Sequence, residues 1–257
     1  MLKIGYVSYL NSLPLVYDLR ALLPGAELID GPPALLAELL EKKTIDIGLA
    51  PVIETIRHSE YTIISDAVIA ADGPVDSVML FANCPLKRIN TLQLDSQSCT
   101  SNVLARLLLI ERLGCEPHYV LLVNDDNEDP RPSTVQADAI VCIGDRALRL
   151  GQEKCWPHAY DLSAEWKQFT GLPFVFAAWL ARPGEEELIK SAAKALSLSR
   201  DRGQQHIEAI ARDAAPRIGL SEDVCRDYLA QRIQYRLTPR IREGMDEFLR
   251  RSAAAGL

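Results

Sequence analysis

The opening residues Leu2-Lys3-Ile4-Gly5-Tyr6-Val7-Ser8-Tyr9 alternate at the two-residue period of a half-buried strand. Asn11-Ser12-Leu13-Pro14 then opens a helix: Asn and Ser cap N-termini, and Pro fits a first turn whose N–H groups have no intrahelical partner. Behind Gly31-Pro32-Pro33, Leu35, Leu36, Leu39 and Leu40 form one helical stripe. Ile45 to Ala50 predicts a buried strand, which Pro51 breaks into a short helix toward Arg57. Further strands are predicted at Val75–Phe81, Leu92–Leu94, 117–123 and 138–143. Residues 95–101 form a polar loop and 102–113 a leucine-rich helix. Phe174 to Leu180 is a late buried strand, and from Glu185 the pattern is helical, with breaks near Gly203, Pro216–Gly219 and Pro239. Strands alternating with amphipathic helices predict an α/β fold with mostly parallel strands.

The strands near 75–82 and 173–181 fit two crossings between lobes. One lobe would be discontinuous, 1–82 with 175–257, and the other inserted, 83–174. A cleft between such lobes gathers strand ends and helix N-termini around one ligand.

Composition narrows the classes. The 257 residues are 48% hydrophobic and 25% charged, and 35 acidic against 28 basic residues give a net charge of −7. That balance shows neither the basic excess nor the basic stripe of a nucleic-acid binder. The longest apolar run, Phe174 to Ala181, is far short of the roughly 20 residues a membrane-spanning helix needs. The N-terminal stretch has no apolar signal-peptide core, and a cytoplasmic protein is expected. The six cysteines include no Cys-x-x-Cys pair, so free thiols are expected rather than a zinc site.

Candidate chemistry lies in the loops. Tyr9-Leu10-Asn11-Ser12, Gly73-Pro74-Val75-Asp76-Ser77, Ser98-Cys99-Thr100-Ser101 and Ile143-Gly144-Asp145 each join a strand end to small polar residues and a helix start. Helix N-termini favour bound anions such as carboxylates, although ordinary capping explains each loop taken singly. The four histidines, at 58, 118, 158 and 206, have no ligand spacing. The acidic stretch Asn124 to Asp129 lacks the turn glycine of a calcium loop and is expected to be solvated. Trp156, Trp166 and Trp179 are expected in cores. Neither a phosphate-cradling glycine loop nor a nucleophile elbow is present. These residues describe a small-ligand-binding α/β protein without a cofactor signature.

The same loops carry a resemblance. The chain resembles the chorismate dehydratases of the futalosine route to menaquinone, a family with the two-lobed fold of type II periplasmic binding proteins. The matching stretches run in order: Ile4 to Pro14, Asp46 to Pro51, Gly73 to Val78, Leu94-Asp95 with Ser98 to Ser101, Ile143 to Leu148, and Tyr160 through Trp166 to Ala177. They cover about residues 4–180, while the C-terminal helices add little. Cys99 departs from the arginine that the resemblance implies in this loop, leaving carboxylate binding there to backbone amides.

The resemblance implies loss of water from chorismate to give 3-[(1-carboxyvinyl)oxy]benzoate, an aromatising step that calls for no metal, flavin or nicotinamide. The loops supply no obvious His, Lys or Glu base, and a carboxylate such as Asp95 or Asp145 would repel a dianion. The expectation is therefore substrate-assisted elimination, with the enolpyruvyl carboxylate taking the proton. Asn11 and Ser77 are the expected catalytic residues, and Ser12, Thr100, Ser101, Gly144 and Asp145 the expected substrate-binding ones. For Asp145 the reading as a structural cap stands slightly ahead of a catalytic one. Two other functions share the fold: an intracellular small-anion sensor, and the naphthoate-forming enzyme of the same route, which would call for a histidine in the cleft.

Overall fold

In the computed structural model, which describes residues 1–122, 129–184 and 186–257, the strands sort into two sheets. The chain lays down β1 (Lys3–Tyr6), β2 (Glu27–Asp30), β3 (Ile47–Pro51) and β4 (Thr62–Ala71) in the first sheet. It crosses to build the second from β5 (Val78–Ala82), β6 (Thr91–Asp95), β7 (His118–Leu122), β8 (Ala139–Ile143) and β9 (His158–Asp161). It then returns to complete the first with β10 (Phe174–Ala181) and β11 (Gln234–Arg236). The spatial orders are β11-β4-β10-β3-β1-β2 and β7-β6-β8-β5-β9.

The expectation of mostly parallel strands is corrected. β1 pairs parallel with β2 and β3, and β6 with β7 and β8, whereas β10 runs antiparallel to β3 and β4, β11 to β4, and β5 to β8 and β9. Hydrophobic period reports burial, and direction is set by the crossings: β10 enters between β3 and β4 on the way back from the other sheet. All eight of its residues are buried, as its central position requires. β5 belongs to the second sheet, so the first crossing falls at 72–77, ahead of Val78 rather than after Ala82. β2, β4, β9 and β11 were not legible in the pattern; in β4, Ser65-Asp66 interrupts the apolar run.

The helices are α1 (Leu13–Val16), α2 (Leu19–Leu22), α3 (Pro33–Glu41), α4 (Glu54–Arg57), α5 (Thr100–Leu107), α6 (Gly144–Glu153), α7 (Leu162–Thr170), α8 (Glu186–Gln205), α9 (Ile207–Ile218), α10 (Glu222–Asp227) and α11 (Pro239–Ala254). α5 begins at Thr100, two residues earlier than the pattern suggests. The break expected near Gly203 falls at His206, between α8 and α9. Gly203 itself lies in the last turn of α8, where a Cβ would stand 2.0 Å from the Pro14 carbonyl oxygen, so glycine admits close contact with α1. α9 ends as expected at Gly219, in the left-handed region with φ +72°. α11 starts with Pro239 behind a Thr238 cap that accepts from Ile241 N–H. Residues 124–128 of the acidic stretch, residue 123 and Glu185 lie outside the described residues.

Trp166 of α7, Phe174 of β10 and Phe248 of α11 meet edge to face, with centroids 4.8–6.0 Å apart, and the Trp166 indole donates to the Pro173 carbonyl. Trp179 is fully buried and Trp156 packs on Phe81, as expected for core residues.

Candidate functional site

The four polar loops converge on one cavity between the sheets. Tyr9 and Asn11 follow β1, Ser77 precedes β5, Ser98, Thr100 and Ser101 follow β6, and Gly144 follows β8. Val7, Ile69, Phe176 and Ala177 supply apolar wall to a cavity of about 50 Å³. An apolar lining with a few placed polar groups is the character of a small-molecule site. None of the lining residues is basic or a histidine.

Each loop is held by buried polar bonds. Asp95, wholly buried at the end of β6, accepts from Arg146 Nη2 at 2.8 Å and from the backbone N–H of Gln97 and Ile143. One carboxylate thus ties the 95–101 loop to the start of α6. Burial pushes its pKa up, against the Arg146 guanidinium and the two backbone donors. Asn102 clamps the same loop, accepting from Asp95 N–H and donating to the Asp95 and Ser98 carbonyls. Asp161 does this for the 73–77 loop, accepting from the N–H groups of Val75 and Asp76 and capping α7 through Ala164 N–H. Its pKa is also raised, by burial against those three donors.

Asn11 sits in a 3-10 turn, Leu10–Ser12, and its Oδ1 is buried without a partner in the protein. The Thr100 hydroxyl is likewise buried and unpartnered. Ser77 is buried and its Oγ accepts from the Tyr228 hydroxyl at 2.7 Å. Burial drives the Tyr228 phenol pKa far above its ordinary value, against the Ser77 and Asn11 side chains. At Gly144, φ is +67° and a Cβ would come within 2.9 Å of the Tyr9 ring, so glycine lets the tyrosine lie flat on the α6 start.

Ser12 and Asp145 face protein groups instead of the cavity. The Ser12 hydroxyl donates to the Val7 and Tyr9 carbonyls. Asp145 accepts from Leu10 N–H at 2.9 Å, and its pKa is raised by burial against that bond and the charges of Arg217 and Arg149. Both residues shape the Asn11 turn from outside. The site also contains a group that sequence reasoning missed: Tyr228, on the π-helical segment Tyr228–Arg232 behind α10. No spacing in the sequence links it to Asn11 or Ser77; only the packing of that segment against the Leu10–Ser12 turn does.

Cys99 precedes α5 beside the Glu54–Arg57 ion pair, and burial pushes its thiol up to about 11, which keeps it neutral. Across the cavity mouth the Tyr9 hydroxyl donates to Gln97 Oε1, and Ala34 N–H donates to the Gln97 carbonyl at 3.1 Å. These contacts draw the two sides together.

Comparison with known proteins gives a family and a fold. A profile described as menaquinone biosynthesis matches residues 2–254. The chain is 30% identical to a chorismate dehydratase of Thermus thermophilus, over 95% of this chain and 93% of that protein. It is 31% identical to a chorismate dehydratase of Campylobacter jejuni, over 67% of this chain and 64% of that one. The CA3427 product of Candida albicans, described as having the generic periplasmic binding protein fold, superposes with a TM-score of 0.70 at 11% identity, over 99% of this chain and 90% of that one. The two-sheet α/β architecture with its helical C-terminal segment is therefore of the periplasmic-binding-protein type.

Proposed function

The chain belongs to the menaquinone biosynthesis family, and from that membership we propose that it is a chorismate dehydratase, eliminating water from chorismate to give 3-[(1-carboxyvinyl)oxy]benzoate. The observation that carries the reading is the convergence of four separated loops on one cavity, with Asn11, Ser77, Thr100 and Ser101 all on its wall.

The chemistry asks for position more than for reagents. The ring C–H bond beside the ether oxygen breaks, its electron pair becomes a ring double bond, and the neighbouring C–O bond releases hydroxide. The enolpyruvyl carboxylate takes the proton and passes it on, so that water leaves and the ring is aromatic. Aromatisation supplies the driving force, and the reaction as written needs no metal, flavin or nicotinamide. Asn11, through its amide, hydrogen-bonds the reacting region, and Ser77 orients a substrate oxygen. Thr100 and Ser101, on the first turn of α5, hold a carboxylate together with the α6 start at Gly144. With no cation in the lining, hydroxyls and helix N-termini carry the anion.

The two sheets are proposed as the cores of two lobes joined at 72–77 and just before Phe174, with the substrate between them. The cytoplasm is the proposed compartment, in keeping with six unpaired cysteines. Among the described residues no helix is long and apolar enough to cross a membrane.

The test is incubation of the purified protein with chorismate, followed by chromatography and mass spectrometry. The expected result is loss of one water to an aromatic enolpyruvyl ether, absent from the control without protein. Unchanged chorismate with a raised melting temperature would make the protein a binder instead.

A further inference from the structure

The Tyr228 hydroxyl is a buried polar group that the elimination as written does not use. It lies at the junction of the two residues that the elimination depends on most, and it comes from a segment far along the chain. Its O–H donates to Ser77 Oγ at 2.7 Å. The ring is almost entirely buried, with 4% exposure. It is carried on five residues of π-helix, Tyr228–Arg232, which pack against the Leu10–Ser12 turn. A π-turn in a helical segment departs from the commoner α-hydrogen bonding and is found frequently at functional sites.

A serine hydroxyl carries one proton and can both accept and donate. Left to rotate, the Ser77 hydroxyl could donate to any nearby acceptor. With a phenol donating to it, the oxygen is an acceptor on the protein side, and its own proton is turned toward the cavity. We propose that Tyr228 is a positioning residue: it fixes Ser77 as a hydrogen-bond donor to the substrate oxygen, in one array with the Asn11 turn against which its segment packs. Burial keeps the phenol protonated throughout the working pH range, so the polarity of the array does not reverse. This role rests on the dehydratase reading, because it acts through the proposed contacts of Ser77 and Asn11.

The experiment is a double-mutant cycle on the full-length protein, with chorismate as substrate and Tyr228→Phe, Ser77→Ala and the double variant compared. Phe keeps the ring and its packing and removes only the hydroxyl. Tyr228→Phe is expected to lower kcat roughly tenfold, with KM changed by less than about threefold. In the Ser77→Ala background the same substitution is expected to have almost no further effect on kcat, because the two groups act as a unit. A merely structural phenol would lower both backgrounds by the same factor, and that outcome, or an unchanged kcat in Tyr228→Phe, overturns the proposal. Should Tyr228→Phe not fold, Tyr228→Met, flexible enough to fill the same space, takes its place in the cycle. If the unmodified protein leaves chorismate intact, the dehydratase reading itself fails and this role falls with it. Turnover by the unmodified protein with additive variants removes only the role of Tyr228.

Discussion

A buried amide oxygen with no donor in contact loses the hydrogen bonds it had in water, and folded proteins keep few such atoms. Asn11 Oδ1 is one, on the wall of a cavity lined by a second, the Thr100 hydroxyl. A polar ligand entering the cavity would satisfy both, which is the physical basis for proposing them as binding groups. Asn11→Ala is accordingly expected to reduce kcat by roughly 10²-fold, a typical consequence of removing one placed hydrogen-bonding group from a reacting centre. Asp145→Asn retains an oxygen to accept from Leu10 N–H and is expected to stay within about threefold of the unmodified turnover. Steady-state kinetics on the two variants decides between them: near-normal turnover in the first with none in the second would transfer the chemistry to an enzyme carboxylate. Asn11 and Ser77 were legible because small polar residues follow or precede strands at helix starts. Ser12 carries the same signature, yet its hydroxyl turns back onto the Val7 and Tyr9 carbonyls. Residue type alone could not separate a ligand contact from a turn contact.

Among the elements, α8 and α1 show that a glycine near a helix break can have a second role. Gly203 suggests a helix break because glycine is costly in helix interiors. Here the missing Cβ is what allows α8 to approach the Pro14 carbonyl, with 2.0 Å available to a Cβ in that direction. Gly203→Ala is expected to destabilise the protein by roughly 1–3 kcal/mol despite alanine's better helix propensity, since backbone must shift to make room. Urea unfolding would register this as a lower midpoint at unchanged slope, and a higher midpoint would show that α8 packs differently. Pro239 opens α11 and Gly219 ends α9, as their residue types predict. What the local pattern does not show is what faces Gly203, and that belongs to a neighbour nearly two hundred residues away.

For the whole molecule, acid stability depends on carboxylates displaced in opposite directions. Glu247 is held down to about 2, chiefly by its hydrogen bonds to Arg250, with Arg251 adding to it. Its contribution is present above the unfolded value of 4.5 and is lost as pH falls through about 2. Asp161 is displaced upward by burial, so its contribution is fully present below the unfolded value of 3.8 and is lost as pH rises through its raised native value. Glu247→Gln is therefore expected to be less stable than the unmodified protein at neutral pH and to converge with it near pH 2. Chemical denaturation across that range would reveal the convergence, and a constant difference would show that Glu247 contributes no pH-dependent stability.

The sequence by itself determined the α/β class, the buried strands, the helix boundaries at Pro239 and Gly219, and the loops where polar chemistry concentrates. Those properties follow from local steric preference and from which side chains avoid water, and both are written residue by residue. Only the tertiary structure decided that β10 runs antiparallel between β3 and β4, that Ser12 and Asp145 brace the Asn11 turn from outside the cavity, and that a tyrosine from the C-terminal helices meets Ser77. Strand direction, the target of a hydroxyl and the meeting of Asn11 with Tyr228 are set by where distant segments pack, and no local pattern records that.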